Sequence, residues 1–132
     1  MHSLTRRLKM AIALTRKQIT FILEEDKEQD ESLQTKFSIK PLSAKQYAAV
    51  QDSMHFTGKG EDATITNSGA YALEVLKYGL TGWSNFKNED GQEVKFNTRN
   101  IEESLDYLSV SNRYEISAAI MELSILGEKE KN

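Results

Sequence analysis

The sequence predicts an α+β fold: an N-terminal antiparallel β-hairpin packed on a small bundle of about four helices, with a second short hairpin near residues 86–96. Three observations predict it. Residues 18–24 and 36–42 alternate apolar and polar side chains and are rich in β-branched and aromatic residues, the pattern of half-buried strands. Later segments place apolar residues at helical spacing behind capping residues. Between two of those helices, Asp90-Gly91 offers the backbone freedom that a tight hairpin turn needs.

In the first strand Ile19, Phe21 and Leu23 point one way and Thr20 and Glu24 the other, with Ile22 an apolar exception. In the second, Phe37 and Ile39 face inward, while Lys36, Ser38 and Lys40 face outward. The residues between them hold six acids within 24–31, which reads as a long solvated loop or, alternatively, a site for a basic partner. Pro41 ends the second strand, and Ser43 with Gln46 forms the capping-box pattern S-x-x-Q of a first helix. Tyr47, Val50 and Met54 mark its buried face, and the helix is expected to fade near Phe56. Residues 57–66 then form a mobile loop.

Asn67 or Ser68 caps the second helix. Ala72, Leu73, Leu76 and Leu80 form one stripe, and Tyr71, Val75 and Tyr78 an adjoining one, so this helix is expected to lie centrally. Gly79 suits a left-handed stop, and Gly82 a second redirection just before Trp83, the only tryptophan. A short linker then carries Trp83 and Phe86 into the 86–96 hairpin. Asn100 with Glu103 caps a short third helix buried through Ile101, Leu105 and Leu108. Asn112 with Glu115 recaps a fourth, whose inner face is Ile116, Ala119, Ile120, Leu123 and Leu126, and Gly127 closes it.

With 132 residues the chain is expected to form one domain, residues 18–127, between a basic arm at 1–17 and a frayed tail at 128–132. The arm carries five basic residues and no acid. Its apolar run, residues 10–14, is too short for a signal peptide. With Met10 as the natural start, residues 1–9 read as an upstream extension or a poorly ordered arm; the alternative is a short basic segment that docks on an acidic partner.

The absence of cysteine removes disulfides, thiol catalysis and cysteine-based zinc sites. A net charge of −3 supplies no overall basic field, and no helix gathers a basic stripe, so no nucleic-acid partner is expected. No apolar run reaches the roughly 18 residues of a membrane span. His2 and His55 have no second ligand at metal-binding spacing, and no nucleophile elbow is present. Gly58-Lys59-Gly60 lacks the spacing of a phosphate-binding loop, and Asp90-Gly91 that of a calcium loop. No catalytic residue, cofactor or metal is therefore expected.

The segment LKYGLTGWSNFKNEDGQEVKF, residues 76–96, is followed by Asn100-Ile101-Glu102 and an ELS-containing last helix. It resembles small tailed-phage proteins of the tail assembly chaperone type. The likeness is carried by Gly79, Leu80, Gly82, Trp83, Asn85, Phe86, Asp90, Gly91 and Phe96, and the opening F-x-I-K-P-L-S-A-K-Q-Y fits as well. It covers roughly residues 18–126.

The resemblance implies a non-enzymatic role in the host cell cytoplasm. Such proteins hold the long helical tape-measure protein soluble and recruit tail-tube subunits, and they are absent from the finished virion. Self-association into a homo-oligomer is compatible with that role. The candidate protein-binding residues are Tyr71, Val75, Tyr78, Trp83 and Phe86, each of which has core packing around Gly82 as its other reading. Alternative roles are a structural virion or neck component, or an accessory protein that binds a host protein.

Overall fold

In the computed structural model, which describes residues 17–130, side chains through 126, a three-stranded antiparallel sheet and four α-helices share one apolar core, and a separate two-stranded sheet adds no residue to it. Strand β1, Ile19–Phe21, pairs with β2, Lys36–Ile39, with Ile19 opposite Ile39 and Phe21 opposite Phe37. That register puts the apolar residues of both strands on one face, as the alternation requires. Phe37 and Ile39 are fully buried. Ile19, expected to be buried, is 41% exposed at the free end of an edge strand.

The acidic connection is not a featureless loop. It forms two 3-10 turns, Glu24–Asp26 and Glu31–Leu33, and Asp30 caps the second by accepting from the Ser32 N–H. The Glu115 carboxylate accepts from the Glu24 N–H at 2.7 Å and ties the loop to the last helix.

Helix α1, Ala44–Asp52, begins with the expected capping box. Ser43 Oγ accepts from the Gln46 N–H at 3.1 Å, and Gln46 Oε1 accepts from the Ser43 N–H at 3.0 Å. Two two-residue strands, β3 Phe56–Thr57 and β4 Thr64–Ile65, pair across the segment expected to be a loop. Asn67 stands before α2, Ser68–Gly79, but its side chain does not cap that helix. It accepts from the His55 N–H and donates to the Ser53 carbonyl, so it fastens the start of α2 to the end of α1.

Gly79 is not a left-handed stop. The chain passes from helical Gly79 straight into strand β5, Leu80–Ser84, where a linker was expected. Strand β5 pairs antiparallel with β2, making β2 the centre of a three-stranded sheet ordered β1-β2-β5. Gly82 lies opposite Ser38 within this strand and does not redirect the chain. Thr81 is the extra residue of an irregularity between Ser38 and Ile39, the local signature of a bulge.

The 86–96 hairpin is present as a bridge between Lys87 and Glu93, with the Val94 N–H donating to the Phe86 carbonyl. Its turn is a three-residue kind. The Gly91 N–H donates to the Asn88 carbonyl, and Gly91 alone takes a positive φ, 80°.

Helix α3, Ile101–Leu105, is capped by Asn100, whose side chain accepts from the Glu103 N–H. Helix α4, Val110–Glu130, starts earlier than expected. Ser109, not Asn112, is its cap: Ser109 Oγ accepts from the Asn112 N–H. Its backbone also continues through Gly127, where a stop was expected. Of its expected inner face, Ile116 and Ile120 are fully buried, whereas Leu126 is 43% exposed.

The inner face instead includes Ser117 and Ser124. Ser124 is accommodated because its hydroxyl accepts from the Leu42 N–H and donates to the Ile120 carbonyl, both at 2.9 Å. A buried hydroxyl with two partners avoids the desolvation cost of an unpaired one. Apart from Lys17, the expected basic arm lies outside the described residues. No helix among the described residues is long and apolar enough to cross a membrane.

Candidate protein-binding surface

The five residues named from sequence fall in three different places. Val75 is fully enclosed in the core between α2 and its neighbours. Its assignment to a binding surface is therefore corrected: a side chain with no exposed area offers a partner nothing.

Trp83 and Phe86 belong to an aromatic knot. Trp83 meets Phe37, Phe86 and Phe96 edge-on, with ring centroids 6.1, 4.9 and 4.9 Å away, and Phe37 meets Phe86 at 5.7 Å. Edge-to-face pairs at these separations are attractive beyond the area they bury. Trp83 Nε1 donates to the Val94 carbonyl at 2.8 Å, so the ring's one polar atom is also satisfied inside the fold. The knot joins the central strand to the second hairpin, and both rings are only partly exposed.

Asn85 holds this region in place from below. It is the one non-glycine among the described residues with a positive φ, 58°. Its side-chain amide donates to the Ser32 and Gln34 carbonyls, and its own carbonyl accepts from Thr35 Oγ1. Asparagine tolerates the left-handed region better than other residues with a side chain, and here three bonds hold it there.

Tyr71 and Tyr78 are half-buried on α2 and packed against the core. Tyr71 lines a pocket of about 280 Å³ with Ile65, Ser68, Tyr114, Ala118 and Met121. Burial, and secondarily the nearby Tyr47 phenol, push its hydroxyl pKa above the usual tyrosine value. Ser68 Oγ and the Tyr114 hydroxyl lie 3.0 Å apart at the mouth of that pocket.

A larger apolar groove, of about 410 Å³, runs between α1 and the second half of α4. Leu42, Ala44, Tyr47 and Ala48 form one side, and Ser124 and Ile125 the other. Ala44 and Ala48 stand one turn apart, so two small side chains make a furrow on the outer face of α1. Ile125 is 40% exposed, and Leu126 beside it 43%. Exposed apolar side chains continuous with a groove are the usual mark of a contact surface.

Sequence reading missed this groove because its two walls lie about eighty residues apart in the chain. Alanine also gives no stripe signal. Ile125, apolar yet off the stripe expected for α4, was the available hint.

No group of three or more His, Asp or Glu residues among the described residues is arranged to hold a metal ion. Lys77 pairs with Glu74 and with Glu102 of α3, both at 3.1 Å, on the solvent side of α2. Compared with known families, curated proteins and solved structures, the chain matches none.

Proposed function

We propose that this protein is a non-enzymatic assembly chaperone or adaptor. It covers apolar helical faces of a phage tape-measure protein and brings tail-tube subunits to it during tail morphogenesis. The observation that carries the reading is the α1–α4 groove, whose apolar walls and alanine furrow suit the ridge of an incoming helix. The phage context itself rests on the likeness of residues 76–96 described above.

The physical logic is reversible cover. A tape-measure helix exposes apolar residues before tube subunits enclose it, and burying each such side chain is worth about 1.5–3 kcal/mol. A groove of this size engages only a few of them, so a single contact is weak and releasable. Many copies along one filament then provide avidity. Tyr71 and Tyr78, half-buried on α2, form a secondary candidate contact, whereas Trp83 and Phe86 mainly hold the second hairpin to the sheet. Co-expression with the tape-measure and tail-tube proteins tests the reading. Co-purification of a soluble complex is the expected result.

A further inference from the structure

We propose that the outer edge of β1 pairs with the same edge of a second copy of this chain, antiparallel, about a two-fold axis at Thr20. The inference uses the sheet edge alone and stands whether or not the α1–α4 groove receives a partner helix.

The first argument is which backbone groups are left over. Strand β1 is one margin of the sheet β1-β2-β5, and no other described segment pairs with its far side. Along a strand the hydrogen-bonding groups of successive residues point to alternate sides. The Ser38 carbonyl accepts from Thr81 Oγ1 and the Lys40 N–H donates to the Gly79 carbonyl, so the even-numbered residues of β2 turn toward β5. Phe37 and Ile39 therefore turn toward Phe21 and Ile19, their opposites in β1. That leaves the N–H and carbonyl of Thr20 directed away from the sheet, with Gln18 and Ile22 next in the same alternation. An edge with such unpaired groups accepts another extended strand.

The second argument is that β1 lacks the devices that keep edges apart, which are charges, proline and bulges. Residues 18–22, QITFI, hold no charge and no proline, and the β1–β2 register is unbroken. Ile19 and Thr20 are both exposed. The other margin differs, since β5 carries the irregularity at Thr81 and runs into Asn85 with its positive φ.

The third argument is self-complementarity. With Thr20 opposite Thr20, Ile19 of each copy faces Phe21 of the other, an aliphatic–aromatic cross-strand pair that covers the exposed isoleucine. Lys17 of each copy comes opposite Leu23 of the other, beside the exposed Glu24 and Glu25. Those two acids open a segment, residues 24–31, with six acids and one lysine. The two-fold axis makes this opposite-charge contact twice, whereas parallel pairing puts like ends together. The two sheets then join as one, ordered β5-β2-β1-β1-β2-β5. So short an edge buries less than the roughly 1,200–2,000 Å² of a stable interface, so the dimer is a weak one that dissociates on dilution.

Sedimentation velocity of the full chain, from micromolar to near-millimolar protein, is expected to show a monomer–dimer equilibrium. Thr20→Pro removes the outward N–H and spares the β1–β2 bonds, so this variant is expected to stay monomeric with an unchanged far-ultraviolet circular dichroism spectrum. The absence of native cysteine permits a second test that decides even if the proline variant fails to fold. A hydrogen-bonded antiparallel pair holds its Cα atoms about 5.5 Å apart, within reach of a disulfide. Mild oxidation of Thr20→Cys is expected to give a covalent dimer, and Ser84→Cys, on the opposite margin of the sheet, none. A parent chain that is monomeric at every concentration, a dimer that persists in folded Thr20→Pro, or equal cross-linking of the two cysteine variants overturns the proposal. So does a dimer that Ala48→Arg dissolves and Thr20→Pro does not, which would assign the self-contact to the groove.

Discussion

Gly79 of α2 sits so close to Ile120 of α4 that a Cβ at residue 79 would meet the isoleucine's Cδ1 at 2.9 Å, and its Cγ2 closer still. Ile120 is fully buried and cannot swing aside. The glycine is there for helix–helix approach, and its φ is ordinary.

Gly79→Ala is therefore expected to destabilise the fold by about 1–3 kcal/mol, the usual range for overpacking. That outweighs the roughly 0.5–1 kcal/mol by which alanine is favoured over glycine within a helix. With Ile120→Ala the clash is gone, and the same substitution becomes neutral or stabilising. A double-mutant cycle by denaturant unfolding reads the change of sign. Equal costs on both backgrounds would refute the packing explanation.

Asn85 supplies a second test, because its backbone and its side chain contribute separately. Asn85→Gly keeps the left-handed conformation accessible and loses only the amide's bonds to Ser32 and Gln34. Asn85→Ala loses those bonds and adds about 1–2 kcal/mol of backbone strain. Alanine should therefore be the less stable of the two variants in thermal unfolding. The opposite order would mean that the backbone angle carries no cost here.

The aromatic knot is expected to behave as core. Trp83→Phe removes the hydrogen bond to Val94 and part of the ring contact, at a cost of about 1–2 kcal/mol. Phe37→Ala, at a fully buried position, costs about 3–5 kcal/mol. As the only tryptophan, Trp83 also reports the unfolding transition by fluorescence. A Trp83→Phe chain of unchanged stability that has lost its partner would move Trp83 back to the binding surface.

Stability should fall at alkaline pH. Burial raises the Tyr71 pKa above the usual tyrosine value, and the hydrogen-bonded pairs with Glu102 and Glu74 raise that of Lys77 above the usual lysine value. In both cases the folded chain holds the proton more tightly than the unfolded one. The associated stability is complete below the unfolded pKa and is lost as pH climbs through the folded pKa. Tyr71→Phe should flatten this loss, and a chain with Lys77→Met should differ from the parent only below it. The Lys77 effect will be small, because exposed pairs contribute little. Denaturation midpoints measured from neutral to alkaline pH check both signs.

Much of the fold was legible from local rules. The β1–β2 register follows from Phe37 and Ile39, and the α1 start from Ser43 and Gln46. Gly91 marks the second hairpin and Asn100 the start of α3. The misreadings share one cause, tertiary context. Gly79 and Gly82 look like breakers in a linker, yet Leu80–Ser84 is a strand because β2 has a free edge to fill. Ser124 looks out of place on an inner helical face until Leu42 supplies its N–H. The candidate site was less legible. Aromatic residues drew attention to Trp83, whose ring is held by three others, while the open groove combines two alanines and Tyr47 of α1 with Leu42 and the far end of α4.

The claim that the α1–α4 groove receives an apolar helix is tested most directly by co-expression with a tape-measure protein, comparing the parent chain with Ala48→Arg and Ile125→Asp. Both positions are exposed, so the variants should keep the parent's melting temperature. The expected result is a soluble complex with the parent chain and its loss with either variant. No complex with the parent, or full retention by both folded variants, would contradict the account.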